Sequence, residues 1–158
     1  MKTIGLVPLR NFATVDAHKK IYRSAQPLYG YEYDWMKKVL GIKTIVNLRS
    51  ESNHDDNVAV AHGIKVIDFR VPDHNIPTHE QVKDFMHLIK KEEDFPLLFH
   101  CEHGHGRTST FCVLVRMAMG WTLSEALREE EEVFHYEFHH KAQKDFLKEY
   151  FNKSLIKN

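Results

Sequence analysis

The sequence predicts an α/β fold, a central, mostly parallel, twisted sheet flanked by helices, on three observations. Thr44-Ile45-Val46-Asn47-Leu48 is a β-branched, nearly continuous apolar run, as suits a strand buried on both faces. Such strand-like runs alternate with stretches of helical periodicity through the first two thirds of the chain, and helical patterns alone fill the remainder. No linker, repeat or low-complexity segment interrupts the 158 residues, which fit one domain with a sizeable core.

The elements follow in order. Residues Asn11–Asp16 and Ile21–Ser24 carry Phe12, Val15, Ile21 and Tyr22 between turn signals and are predicted as short strands. From Tyr33 to Leu40, Trp35, Met36, Val39 and Leu40 recur at helical spacing, and Gly41 supplies a stop. After the Thr44–Leu48 strand, the polar loop Arg49–Asp56 leads into a short helix over Asn57–His62, closed by Gly63. Ile64–Val71 is the next strand, ended by Pro72, and Asp73-His74-Asn75-Ile76-Pro77 is a loop between two prolines. Thr78–Lys91 is a helix with Thr78 and Gln81 as a capping box and Val82, Phe85, Met86 and Ile89 as its apolar stripe. Pro96–His100 is a strand, Arg107–Met119 an apolar-rich buried helix, and Thr122 with Glu125 a second capping box. Glu129-Glu130-Glu131-Glu132 is expected on an exposed helix face, and the chain from about Glu132 to Lys153 is expected to be helical. Trp35 and Trp121 are expected to pack in or cap the core.

Composition excludes several classes. With 22 basic and 22 acidic residues, no global field points to nucleic acid or a membrane surface, and no apolar run reaches the roughly 18 residues of a membrane span. Twelve histidines would add positive charge below about pH 6.5. Cys101 and Cys112 on one helical stretch would lie about 16 Å apart, too far for a disulfide, which favours free thiols and a reducing compartment. The short apolar start is broken by Pro8 and Arg10. A cytoplasmic monomer is expected, or a periplasmic or secreted one if a signal has been removed.

The chemistry concentrates in His100-Cys101-Glu102-His103-Gly104-His105-Gly106-Arg107-Thr108. A strand ends in His-Cys, five residues follow, and Arg-Thr opens a helix. Such a loop can point successive backbone N–H groups inward while the helix adds its positive end, a cradle for a tetrahedral anion. Gly104 and Gly106 allow the curl. Arg107 can bind two phosphate oxygens at once, and the same positive field favours a thiolate nucleophile at Cys101. Thr108 is placed to hydrogen-bond that sulfur, and His100 to fix the loop. Expelling an alkoxide also requires an acid, for which Asp73 is the candidate in the loop after a strand; Asp68, inside strand patterning, is its rival.

His-Cys-x5-Arg-Thr resembles the signature of cysteine-dependent phosphatases of the protein tyrosine phosphatase superfamily. Together with Asp73-His74-Asn75-Ile76-Pro77, it is similar in motif to the phosphatase-and-tensin lipid phosphatases and to the bacterial tyrosine-phosphatase-like phytases. Asn47-Leu48-Arg49-Ser50-Glu51-Ser52 also resembles the phytase segment that brings basic contacts beside the site. The resemblance covers roughly residues 21 to 136 and implies a dual-specificity-phosphatase-like fold. It further implies Cys101 as nucleophile, Arg107 as phosphate binder, Asp73 as acid, and no metal or cofactor. The substrate it implies is a phosphorylated small molecule, an inositol phosphate, or alternatively a phosphoprotein. Substrate contacts are expected from Glu102, His103, Gly104, His105, Gly106, His74 and Arg49, with Arg23 added from the end of its strand. For Arg49 and Arg23 a structural ion pair is an equal alternative. His103 and His105 stand where relatives more often carry Ala with Lys, or Ala with an apolar residue. The departure would narrow the pocket or make affinity pH-dependent.

Other readings of the same residues are weaker. His100, Cys101, His103 and His105 would suit a metal, but a guanidinium beside a divalent cation and a glycine-shaped anion nest argue against it. His135, His139 and His140 include an i, i+4 pair that would suit a metal but are more simply solvated helix positions, and Cys112 among Phe111, Val113, Leu114 and Val115 is expected to be core.

Overall fold

The structure, a computed structural model, describes residues 6–51, 55–138 and 140–156. Strands β1 (Ala13–Asp16), β2 (Ile21–Ser24), β3 (Thr44–Arg49), β4 (Lys65–Val71) and β5 (Leu97–His100) form one sheet in the order β1-β2-β5-β3-β4. Only the β1–β2 hairpin is antiparallel; β2, β5, β3 and β4 run parallel to their neighbours. β5 is central and wholly buried, so its C-terminal end, where His100 passes to Cys101, opens at the middle of the sheet edge. Parallel α/β sheets present their binding crevices at that edge.

Both sheet faces are covered, as the continuous apolar runs required. Val46, Leu48, Leu97 and Phe99 point to one core with Phe85, Phe111 and Leu147. Ile45 and Leu98 point to the other with Tyr33, Met36, Ile42 and Ile64. The first core lies under α3 (His79–Leu88), α4 (Arg107–Ala118), α5 (Leu123–Glu132) and α6 (Lys141–Ile156). The second lies under α1 (Gly30–Trp35), which widens into a π-helical turn over Met36–Leu40, and α2 (Asp55–Ala61). No helix of the described residues is long and apolar enough to cross a membrane.

The local signals act as expected. Thr78 and Thr122 each accept the backbone N–H three residues on at 3.1 Å, and Gln81 and Glu125 reciprocate, two capping boxes worth about 1 kcal/mol each. Gly41 closes the π-helical turn in the left-handed region, at φ 68°. Several boundaries differ from those predicted. β1 begins at Ala13, because Asn11 sits at φ 52° and leaves the ladder. α1 starts at Gly30 rather than Tyr33, with the Glu32 carboxylate accepting the Leu28 N–H at 3.2 Å in front of its first turn. The short helix begins at Asp55 rather than Asn57. α3 stops at Leu88 rather than Lys91, and a 3₁₀ turn, Glu92–Asp94, precedes β5.

A larger correction concerns the chain after α5. Residues 133–138 and 140 are not helical: the Tyr136 N–H bonds back to the Glu130 carbonyl at 2.9 Å, and His135 and Phe138 take φ of 56° and 54°. Tyr136 and Phe138 are buried while His135 and Glu137 are exposed, an alternation that a helix does not provide. His135 therefore lies on a loop, not on a helix; His139 and Ser52 lie outside the described residues.

Candidate active site

The loop Cys101–Gly106 joins β5 to α4, and α4 is buried along its first ten residues. Cys101 is 4% exposed at the loop's start. Its thiol donates to the His105 carbonyl at 3.0 Å and accepts from Thr108 Oγ1 at 2.9 Å, so the sulfur is fixed from two sides. His100, fully buried, donates from Nδ1 to the Cys101 carbonyl at 3.1 Å. Gly104 and Gly106 have φ of 81° and 47°, where a side chain would be strained. Gly104 is needed twice over, since a Cβ there would lie 3.0 Å from the Ala25 nitrogen.

Below the loop lies Arg23, fully buried at the end of β2. It donates to both carboxylate oxygens of Glu130 at 2.7 and 2.8 Å, to the Gly104 carbonyl at 2.9 Å and to Ser109 Oγ at 3.2 Å, with Phe134 stacked over its guanidinium. A carbonyl drawn down to Arg23 fixes the loop's curl from outside the cradle. Two expectations are corrected here. Arg23 takes its structural alternative and does not line the cavity over the loop, because Glu130 and the loop carbonyl engage it inside the protein. Glu130 is not on an exposed face, because an unpaired buried guanidinium would be costly and the helix turns this carboxylate in to meet it.

Arg107, 2% exposed, is held by Glu51: Nη1 to Oε1 at 2.7 Å and Nη2 to Oε2 at 2.9 Å. Nη1 also donates to the Val71 carbonyl at 2.9 Å, and Nη2 lies 3.4 Å from the Asp73 carboxylate. Glu51 and Val71 account for both Nη1 hydrogens and one of Nη2, so the Nε edge and the Nη2 hydrogen facing Asp73 remain for an anion. Arg107 holds the Glu51 carboxyl well below the usual range, down to about 2. Because its folded value is lowered, Glu51 contributes stability fully above the ordinary glutamate range and loses it as pH falls toward 2.

Arg49, expected at substrate, is corrected in favour of its structural alternative. It donates from Nε to Glu51 at 3.0 Å and from Nη1 to Gln26 Oε1 at 3.1 Å, with Glu102 at 3.9 Å, and does not line the cavity. Gly104 likewise packs against β2 rather than lining the cavity. Glu51 has no counterpart among the predicted site residues. A carboxylate one turn of loop beyond a strand's C-terminal end was the available signal, but an acid in a phosphate site runs against the charge logic of anion binding.

A cavity of about 460 Å³ opens over the loop, and Asp73, His74, Cys101, Glu102, His103, His105, Gly106 and Arg107 all reach it. Asp73 is half-exposed and its carboxylate lies 3.5 Å from His74 Nε2. The far wall comes from the segment that joins α5 to α6 and the first turn of α6. Tyr136 stacks on His105 with centroids 5.7 Å apart and donates its hydroxyl to Gln143 Oε1 at 2.9 Å, burial pushing its phenol up to about 12. Gln143 Nε2 donates to the Asn75 carbonyl at 3.3 Å, and His140 stacks on His74 at 4.2 Å. The Asp73–Pro77 loop is thereby tied to the segment entering α6. Among the described residues no three His, Cys, Asp or Glu side chains are grouped to hold a metal ion. Cys112 is wholly buried, its thiol pushed up to about 12 by burial.

Glu51 acts on Arg107, so its removal separates positioning from charge. Glu51→Ala frees the guanidinium to other rotamers, and kcat on an aryl phosphate is expected to fall about 10- to 100-fold. KM should not rise, because a negative charge has left the anion site. An unchanged kcat would remove Glu51 from any positioning role.

A family model described as the tyrosine phosphatase family matches residues 6–158. Among curated proteins, inositol diphosphatase DSP4 of Arabidopsis thaliana is 32% identical over 130 residues, 78% of this chain and 63% of that protein. Putative tyrosine-protein phosphatase OCA1 of Debaryomyces hansenii is 29% identical over 138 residues, 80% of this chain and 68% of that protein. The chain thus spans about two thirds of the length of these relatives. Among solved structures, the core catalytic domain of the PP-IP phosphatase SIW14 from S. cerevisiae matches with a TM-score of 0.76 at 24% identity, covering 91% of this chain and 87% of that one. A PTP-like phytase from Bdellovibrio bacteriovorus matches at 0.73 and 17%, covering 94% and 84%. At these identities the structural likeness is one of fold, and it agrees with the α/β architecture predicted from sequence.

Proposed function

The chain belongs to the tyrosine phosphatase family, and from that premise we propose that it hydrolyses inositol polyphosphates through a phosphocysteine intermediate. One observation carries the chemistry: Cys101 Sγ sits at the mouth of the loop with Thr108 Oγ1 at 2.9 Å, and Arg107 and Asp73 line the same cavity. The substrate phosphoryl group lies in the loop with its equatorial oxygens on backbone N–H groups and the open edge of Arg107. Cys101 attacks phosphorus in line, the S–P bond forms as the P–O ester bond breaks, and Asp73 gives its proton to the leaving alkoxide. Water then attacks the phosphocysteine and gives a proton to the Asp73 carboxylate; the new P–O bond forms as the S–P bond breaks, inorganic phosphate is released, and the sulfur leaves as a thiolate that accepts the Thr108 hydroxyl. To reach the leaving oxygen, Asp73 gives up its position beside Arg107, which the phosphate takes over.

For the substrate, support comes from the 32% identity to a protein named inositol diphosphatase and from a cavity wide enough to carry several side chains around the loop. The relatives named as tyrosine-protein phosphatases favour a second reading, a dual-specificity or tyrosine protein phosphatase. A phosphate-release panel separates the two, with inositol hexakisphosphate, a phosphotyrosine peptide and an aryl phosphate, all in a chelator. Turnover of the inositol phosphate well above the peptide is expected. The reverse order would transfer the assignment to phosphoproteins, and no release from any of the three would end the phosphatase reading.

A further inference from the structure

Three successive carbonyls of the Cys101 loop are held by donors from one flank, the β1–β2 side of the molecule. The Gln26 N–H donates to the Glu102 carbonyl at 3.1 Å, Asn11 Nδ2 to the His103 carbonyl at 2.6 Å and Arg23 Nη2 to the Gly104 carbonyl at 2.9 Å. In a planar trans peptide the N–H points opposite to the C=O. The N–H groups of His103, Gly104 and His105 are therefore turned away from that flank, toward the inside of the curl.

Two of these donors are fixed by the fold in any case: Gln26 gives a backbone N–H, and Arg23 is clamped by Glu130. Asn11 is an exposed side chain outside the sheet ladder, 92 positions before its acceptor. It is nonetheless pinned on both sides. Before it, Leu9 is buried, the Arg10 carbonyl accepts the Ala25 N–H at 2.9 Å and Arg10 Nη2 donates to the Gln26 carbonyl at 3.3 Å. After it, Phe12 stacks on Tyr22 with centroids 5.6 Å apart and meets Trp35 edge-on at 5.5 Å. Between these anchors Asn11 takes φ 52°, in the left-handed region that asparagine tolerates better than most side chains.

We infer that Asn11 is a positioning residue for the phosphate cradle: by holding the His103 carbonyl outward, it keeps the Gly104 N–H aimed at an equatorial oxygen of the phosphoryl group. Its role in turnover rests on the phosphatase reading of the loop. The peptide between His103 and Gly104 needs such a brace, because its rotation involves φ of Gly104, and glycine accepts φ of either sign. Turned over, that peptide presents the His103 carbonyl to the anion, a partial negative charge in place of a donor. A stiffer residue cannot replace the glycine, since a Cβ would lie 3.0 Å from the Ala25 nitrogen and 3.1 Å from Asn11 Cβ. The other peptide of the loop that enters a glycine, His105–Gly106, has its carbonyl held from within, by the Cys101 thiol at 3.0 Å and the Thr108 N–H at 2.9 Å. For His103–Gly104 the restraint comes from the segment before β1.

The test compares Asn11→Gly with Asn11→Asp in the full chain. Glycine deletes the side chain, keeps the left-handed backbone and adds no charge; aspartate keeps the shape but offers acceptors alone. Loss of the donor is the change common to both. On an aryl phosphate, kcat is expected to fall about 10- to 100-fold in each variant. With Cys101→Ser added, inorganic phosphate titrated by calorimetry should bind about tenfold more weakly. Inhibition by orthovanadate, which takes the geometry of the transition state at Cys101, should weaken by a larger factor than phosphate binding does, a split that a merely structural role would not produce. Wild-type kcat in Asn11→Gly or in Asn11→Asp overturns the inference; where only the aspartate loses activity, its added charge is the cause. The binding arm needs no turnover, so the two readings fail separately. If phosphate binding weakens in both variants while the wild-type protein releases nothing from the aryl phosphate, the brace stands and the phosphatase reading falls. If the wild-type protein hydrolyses the aryl phosphate and both variants match it, the brace falls alone.

Discussion

Cys101→Ser is expected to lower phosphate release by a factor of at least about 10³ while leaving the protein folded and able to bind inorganic phosphate. The serine hydroxyl occupies nearly the same volume but is not ionised near neutral pH, so the nucleophile is lost and little else. The cradle is built from the loop backbone, the start of α4 and Arg107. Its curl is held by groups the substitution does not touch: Arg23 on the Gly104 carbonyl and Asn11 on the His103 carbonyl. Phosphate affinity measured by calorimetry should therefore persist when turnover has gone. Acid-quenched wild-type protein should carry one labelled phosphoryl group on sulfur during turnover, and the variant none. Full activity in Cys101→Ser would rule out the covalent route, whatever the fold.

The proposed covalent route would give the heavy buttressing of the loop a use. A cradle that must receive one anion, form a bond to it and release another gains from not moving between the steps. The buried Arg23–Glu130 pair is expensive to desolvate, and a pair of apolar residues would be a cheaper way to fill that space. What apolar residues cannot supply is a directed donor to the Gly104 carbonyl, 2.9 Å from Arg23 Nη2.

The sequence made the sheet, its helices and the nucleophile loop legible because each rests on a local rule. Continuous apolar runs give buried parallel strands, Thr78 and Thr122 with their partners start helices, and the spacing of Cys101 and Arg107 gives a loop that fits an anion. Where sequence reasoning failed, the determining contact was distant in the chain. Glu130 in a run of four glutamates has no local feature to set it apart; it is buried because Arg23, 107 positions earlier, ends β2 directly beneath it. Glu51 and Arg49 look like an ordinary neighbouring ion pair, and only the approach of α4 to the β3 end makes Glu51 the partner of Arg107. The run through residues 133–138 was more avoidable. Phe134, Tyr136 and Phe138 alternate with His135 and Glu137, a period of two that argues for extended chain and was outweighed by the helical patterns on either side. That misreading hid the far wall of the cavity, with Tyr136, His135, His140 and Gln143.

Asp73→Asn supplies the second large effect, and its value lies in how the loss depends on the leaving group. An asparagine keeps the size of the side chain but has no proton to give an alkoxide. Release from an alkyl or inositol phosphate, whose leaving oxygen is strongly basic, should fall by about 10²–10⁴. An activated aryl phosphate needs little protonation and should lose no more than about tenfold. The geometry around Asp73 makes a second consequence of the substitution readable. Its carboxylate lies 3.4 Å from Arg107 Nη2, on the edge an incoming phosphate must occupy. Removing that charge should tighten inorganic phosphate binding even as turnover of poor leaving groups collapses, a split between affinity and rate that a merely structural role would not produce. Equal losses on alkyl and aryl substrates would assign the proton to another group, and Asp68 is then excluded as well by its position: it lies within β4, its carboxylate accepting from Asn47 Nδ2 at 3.0 Å and outside the cavity wall. The acid would have to come from the cavity itself, from Glu102, Glu137 or a histidine of its wall.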